Sequence, residues 1–184
     1  NAGSSNRTVA AEWPATFNGT GGVLIKGTGT ITLNETKTLS ANVPLTINSG
    51  TLASGNYNLT LGGNFTNNAT FTYGTSTVTF NGTSPQTISG TSATTFYNLT
   101  INNTGTSGNN TVTLEQPTTV TNTLTLTSGI VNTTSTNVLS VTNTAAGAIS
   151  GGSSTSFVNG PLKRSLPANY STASSYVFPV GAGT

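Results

Sequence analysis

Leu45-Thr-Ile47, Leu59-Thr-Leu61 and Val78-Thr-Phe80 repeat one small pattern, an apolar residue on each side of a threonine. The same triplet recurs at Ile31-Thr-Leu33, Leu99-Thr-Ile101, Val112-Thr-Leu114 and Leu124-Thr-Leu126. Side chains alternate across a strand, so each triplet is a short strand that buries two residues and turns its Thr outward. The β-branched Thr suits a pleated surface. The pairs Ser49-Gly50, Ser54-Gly55, Asn81-Gly82, Ser89-Gly90 and Ser128-Gly129 punctuate the strands as turns. No segment carries the 3.6-residue period of an amphipathic helix, and the chain reads as all-β.

The triplets begin at 31, 45, 59, 78, 99, 112 and 124, too unevenly for a strict repeat. They fit a parallel β-helix, a solenoid of roughly 20-residue coils with two or three short strands per coil and corners of variable length. Eight or nine coils at about 4.8 Å each would make a rod on the order of 40 Å long. The alternative all-β architecture is a β-sandwich, whose strands recur every eight to twelve residues. The scarcity of Asn-Gly hairpins between long alternating strands favours the solenoid. The expected core is Leu45, Ile47, Leu59, Leu61, Val78, Phe80, Leu99, Ile101, Val112, Leu114, Leu124 and Leu126, with Phe65, Phe71 and Phe96 also in phase with the interior.

Composition narrows the chemistry. Of 184 residues, 41 are Thr, 23 Asn, 22 Gly and 21 Ser, while 40 are Leu, Ile, Val or Phe, enough for a core. There is no His, Cys, Met or Asp, and the carboxylates are Glu12, Glu35 and Glu115. Imidazole bases, thiolate nucleophiles and nitrogen or sulfur metal ligands are therefore missing. Three widely separated Glu build neither a calcium loop nor a readily paired-carboxylate glycosidase. The expectation is a non-catalytic protein with no cofactor and no metal. Five cations against three anions give a net charge of +2, far from the dense basic stripe that nucleic acid requires. No apolar run approaches the length of a membrane span, so no membrane insertion is expected. Stacked coils set like residues above one another, where like charges would repel and Thr and Asn can form ladders. That accounts for a charged fraction of only 4%.

Along the chain, 1–20 reads as an N-terminal cap or entry segment, 21–144 as the solenoid body and 145–156 as a soft linker or corner. Residues 157–184 read as a C-terminal β segment that continues in a longer native chain. Opening on Asn1, the chain reads as a processed or excerpted piece. The adjacent charges Lys163-Arg164 are expected at a solvated corner.

The run Asn58-Leu-Thr-Leu-Gly-Gly-Asn-Phe-Thr-Asn-Asn-Ala-Thr-Phe71 is followed by Val78-Thr-Phe-Asn-Gly82, Gln86-Thr-Ile-Ser-Gly90 and Phe96-Tyr-Asn-Leu-Thr-Ile-Asn102. Together these resemble the β-helical segments of large surface proteins exported by the type IX system of gliding-type bacteria. Phe157-Val-Asn-Gly-Pro-Leu-Lys-Arg164 and Val177-Phe-Pro-Val-Gly181 resemble a segment that follows the β-helix in those proteins. The resemblance covers roughly residues 40–181 and implies a stalk, adhesin or matrix protein outside the cell.

Two function classes follow. In the first, the chain is an extracellular structural protein that self-associates through solenoid ends or a donated strand, 1–20 or 157–184, into a filament, sheath or stalk. In the second it is a binding module for surface polysaccharide or ice. Candidate sugar-stacking aromatics are Trp13, Tyr57, Tyr73, Tyr97, Tyr170 and Tyr176. Outward threonines such as those of Thr121-Asn-Thr-Leu-Thr-Leu-Thr127 suit ice, but the uneven triplet spacing predicts an irregular face. Twelve Asn-x-Ser/Thr sequons are present, and Asn18, Asn34, Asn81 and Asn109 are the candidate glycosylation sites.

Overall fold

The computed structural model describes residues 3–169 and 174–182. Its strands are stacked in parallel as a β-solenoid of about 8 turns at ~22-residue spacing. Each coil carries three short strands, which build three walls. Wall A holds Arg7–Thr8, Thr30–Thr32, Thr51–Ala53 and Thr70–Thr72, and continues in later coils through the starts of Thr94–Asn102 and Thr118–Ser128, then Leu139–Val141 and Leu162–Arg164. Wall B holds Thr16–Phe17, Lys37–Leu39, Leu59–Leu61 and Thr77–Phe80, the ends of those same two long strands, and Ile149–Gly151. Wall C runs Val23–Ile25, Leu45–Ile47, Phe65–Asn67, Gln86–Ser89, Thr111–Leu114, Ile130–Asn132, Val158–Asn159 and Val180–Gly181. Every strand pairing between coils is parallel, which excludes the sandwich.

The twelve expected core residues are all buried, at 2% exposure or less. They stack on their counterparts one coil away: Leu59, Val78, Leu99 and Leu124 form one column and Leu61, Phe80, Ile101 and Leu126 another. Phe96 lies against Phe65, Phe71 and Phe80, with ring centroids 5.9, 5.8 and 6.4 Å away. Tilted and edge-on contacts of this kind suit the aromatic quadrupole.

Wall A changes phase halfway down. In its first strands the centre points inward, at Ile31, Leu52 and Phe71. From Thr94 onward the flanks do, at Thr94 and Phe96, Thr118 and Val120, Leu139 and Val141. A parallel ladder would place an inward residue over an outward one at this boundary, and Thr70–Thr72 ends a four-stranded sheet there. The corner between walls A and B then shrinks to a bulge at Tyr97, so that Thr94–Asn102 is continuous across it.

The terminal segments belong to the stack. Within 1–20, Arg7–Thr8 and Thr16–Phe17 pair with Ile31–Thr32 and Thr38–Leu39 and supply the first coil. Within 145–156, the short 3-10 helix Ala146–Ala148 turns the corner into Ile149–Gly151, which pairs with Leu124–Leu126. Val158–Asn159 and Leu162–Arg164 add two strands more.

Candidate functional site

Thr38, Thr60, Thr79, Thr100, Thr125 and Ser150 stand in one unbroken column on wall B, each paired to the next across a coil step. The uneven triplet spacing thus does not make the face irregular. Extra residues are confined to corners, where length is free to vary, while the walls keep register.

The Asn residues work at the corners. Beside the hydroxyl column, Asn98 Nδ2 donates to Thr77 Oγ1 (3.2 Å), Asn122 Nδ2 to Asn98 Oδ1 (2.8 Å) and Asn143 Nδ2 to the Asn122 carbonyl (3.0 Å). On wall C a shorter ladder joins Asn159 to Asn132 and Asn132 to Thr113. Amides carry both donors and acceptors, so identical residues can chain without repulsion.

Charge is placed sparingly. Lys37 is fully buried; its Nζ donates to the Trp13 carbonyl (2.5 Å) and to Glu35 Oε1 (2.8 Å). Arg7 pairs with Glu12 at the first coil. The Glu12 carboxyl is held below its ordinary value first by its own backbone N–H; desolvation opposes this, and the Arg7 guanidinium and the Ala10 N–H add to the lowering. The sequence reading of Lys163-Arg164 as a solvated corner is corrected: both residues lie in the strand Leu162–Arg164, and only Lys163 is exposed. Arg164 ends a strand, is 8% exposed, and donates to the carbonyls of Ala145, Ala146 and Val177, with the Tyr176 ring 5.0 Å from its Cζ. At this depth its guanidinium reaches the carbonyls of the 3-10 corner and of Val177 at once.

Other sequence candidates scatter. Trp13 is buried under the first coil and offers no face for a sugar. Tyr57 is exposed, Tyr73, Tyr97 and Tyr176 are half-buried, and they form no common platform; Tyr170 lies outside the described residues. Asn18, Asn34, Asn81 and Asn109 are all exposed. Among the described residues, no group of three or more acidic side chains could hold a metal ion, and no helix is long and apolar enough to cross a membrane.

Two features escaped the triplet reading. Gln86 and Asn103 are buried at the corner between walls B and C; Gln86 Nε2 donates to the Leu61 and Gly63 carbonyls, and its Oε1 accepts from Gly82 N–H and Asn103 Nδ2. The alternation of Gln86-Thr-Ile88 with its neighbours carries that signal, because Gln86 is in phase with the buried Ile88. The other feature is the pair of rod ends. A pocket of about 210 Å3 lies over the first coil, lined by Arg7, Glu12, Trp13, Phe17 and Leu24. At the far end, Leu166, Val177, Phe178 and Val180 are exposed.

The fold and its walls define a three-walled β-solenoid. Comparison with protein-family models, curated proteins and solved structures finds no match for the chain.

Proposed function

We propose that this chain is an extracellular structural rod that extends end to end by stacking its terminal coils on those of another copy, as in a filament, sheath or surface stalk. One observation carries the reading. Of the six large hydrophobics exposed among the described residues, five lie on the terminal coils: Leu24 at one end and Leu166, Val177, Phe178 and Val180 at the other. The sixth, Tyr57, sits at a corner between them, and the outward positions of the intervening walls are mostly Thr, Asn and Ser.

Sheet chemistry supports the same contact. Among the described residues Val23–Ile25 and Val180–Gly181 are the outer strands of wall C, each with one edge that no other strand covers; the Val180 N–H on that edge donates to the Phe178 carbonyl. A parallel strand from a second copy supplies partners for such groups, and a head-to-tail contact repeats without closing. The low charge leaves little to repel. Because the strands Arg7–Thr8, Thr16–Phe17, Val158–Asn159, Leu162–Arg164 and Val180–Gly181 already pair within their own stack, the contact needs no strand to be withdrawn and donated. The extracellular setting rests on the near absence of charge and the resemblance to exported surface proteins.

Sedimentation velocity and electron microscopy from micromolar concentration upward test this. The expected result is concentration-dependent assembly into fibres of one coil stack's width, lost in Val180→Lys and in Leu24→Glu while the circular dichroism stays that of the parent. A chain that remains monomeric at every concentration overturns the reading.

A further inference from the structure

The corner between walls B and C has very different lengths in three successive coils. Asn102 and Thr111 are separated by eight residues, 103–110; Ser128 and Ile130 by Gly129 alone; Gly151 and Val158 by six residues, 152–157. Gly129 makes the tight corner possible. Its φ of +95° is open to glycine, and a Cβ there would lie 2.7 Å from the Asn110 carbonyl oxygen. The long corners above and below project past the recessed one, and between them runs a groove of about 700 Å3.

From this groove we infer a binding site for a neutral oligosaccharide. No charged side chain lines it, so phosphate, sulfate and uronate groups would meet no counter-charge. Its lining mixes hydroxyls and amides with the apolar surface of Ile130 and Phe157, the combination that suits a pyranose, which has C–H faces and a hydroxyl rim. Asn132 is locked by its bonds to Thr113 and Asn159, giving a wall that needs no ordering on binding. Asn110 Oδ1 is buried and has no hydrogen-bond partner. A buried acceptor of this kind is costly while unpaired, and because Asn110 lines the groove a turn of its amide would present that acceptor to a sugar hydroxyl. Two coil steps of about 4.8 Å each give the groove an axial length of roughly 10 Å, about that of a disaccharide.

The site lies on the side of the rod and does not depend on end-to-end assembly. Its test is calorimetric titration of the full chain with cellohexaose, xylohexaose, mannohexaose and chitohexaose, with heparin and alginate oligosaccharides as acidic controls. Binding of at least one neutral hexaose at millimolar concentration or below is expected. Asn110→Ala should weaken it at least tenfold and Ile130→Arg should abolish it, with circular dichroism reporting that both variants fold. Failure of all four neutral probes, equal binding of the acidic ones, or unchanged affinity in both variants overturns the inference.

Discussion

Phe96→Ala should be among the most damaging single changes in this rod. The side chain is fully buried, touches three other rings and sits where wall A has just changed phase, so it packs residues from all three walls. Removing a buried phenylalanine costs about 3–5 kcal/mol, the upper part applying where the surroundings cannot close on the cavity. Here they cannot. The coils above and below are tied by backbone ladders through Leu99–Ile101 to Leu124–Leu126 and to Val78–Phe80, which fix the coil spacing whatever the core contains. The three ring contacts add a geometric preference that leucine does not restore, so Phe96→Leu should recover part of the loss. The assay is urea unfolding followed by far-ultraviolet circular dichroism, comparing midpoint and slope with the parent. A loss below about 1 kcal/mol at unchanged slope would refute the claim that the ladders hold the cavity open.

Gly129→Ala should destabilise by about 2 kcal/mol, combining left-handed backbone strain with the Asn110 contact, whereas Gly55→Ala, at φ +60° with open space around it, should cost nearer 1 kcal/mol; urea midpoints of the two variants decide. Stability should stay flat from about pH 5 to 9, since the chain has no His or Cys to titrate there. Glu12 has a depressed folded value, so its contribution is present above the unfolded value of 4.5 and is lost as pH falls through the folded one. Thermal melts should therefore decline only on the acid side. Because Glu12 is exposed the step should be small, and Glu12→Gln should reduce it; a large change between pH 5 and 9 would contradict the assignment.

The solenoid was legible because apolar-Thr-apolar triplets are read the same way in any parallel stack. What escaped were triplets of the same phase with a polar first member: Lys37-Thr-Leu39, Gln86-Thr-Ile88, Thr94-Thr-Phe96 and Thr118-Thr-Val120. Each places its first residue inside, where a corner gives it partners: backbone carbonyls for Lys37, Gln86 and Thr118, and the Asn67 amide for Thr94. Hydrophobicity alone cannot flag such positions, though alternation can. Arg164 was misread for the same reason, because it looks solvated until the carbonyls of Ala145 and Ala146 are brought beneath it. The groove could not be read at all, since it depends on which corners stack above one another rather than on any local motif.

The parallel stacking also sets how the rod would respond to tension. Its first and last coils lie at opposite ends, so a pull between them runs along the axis and across the strands. The hydrogen bonds between coils then open one strand at a time from an end, unlike strands sheared lengthwise, where a whole row must break together. Each coil released frees about 22 residues, or roughly 70 Å of extended chain, while the coils behind it remain folded. Under load such a rod would lengthen stepwise and recover as coils re-dock, a mechanical fuse for whatever is attached at its tip.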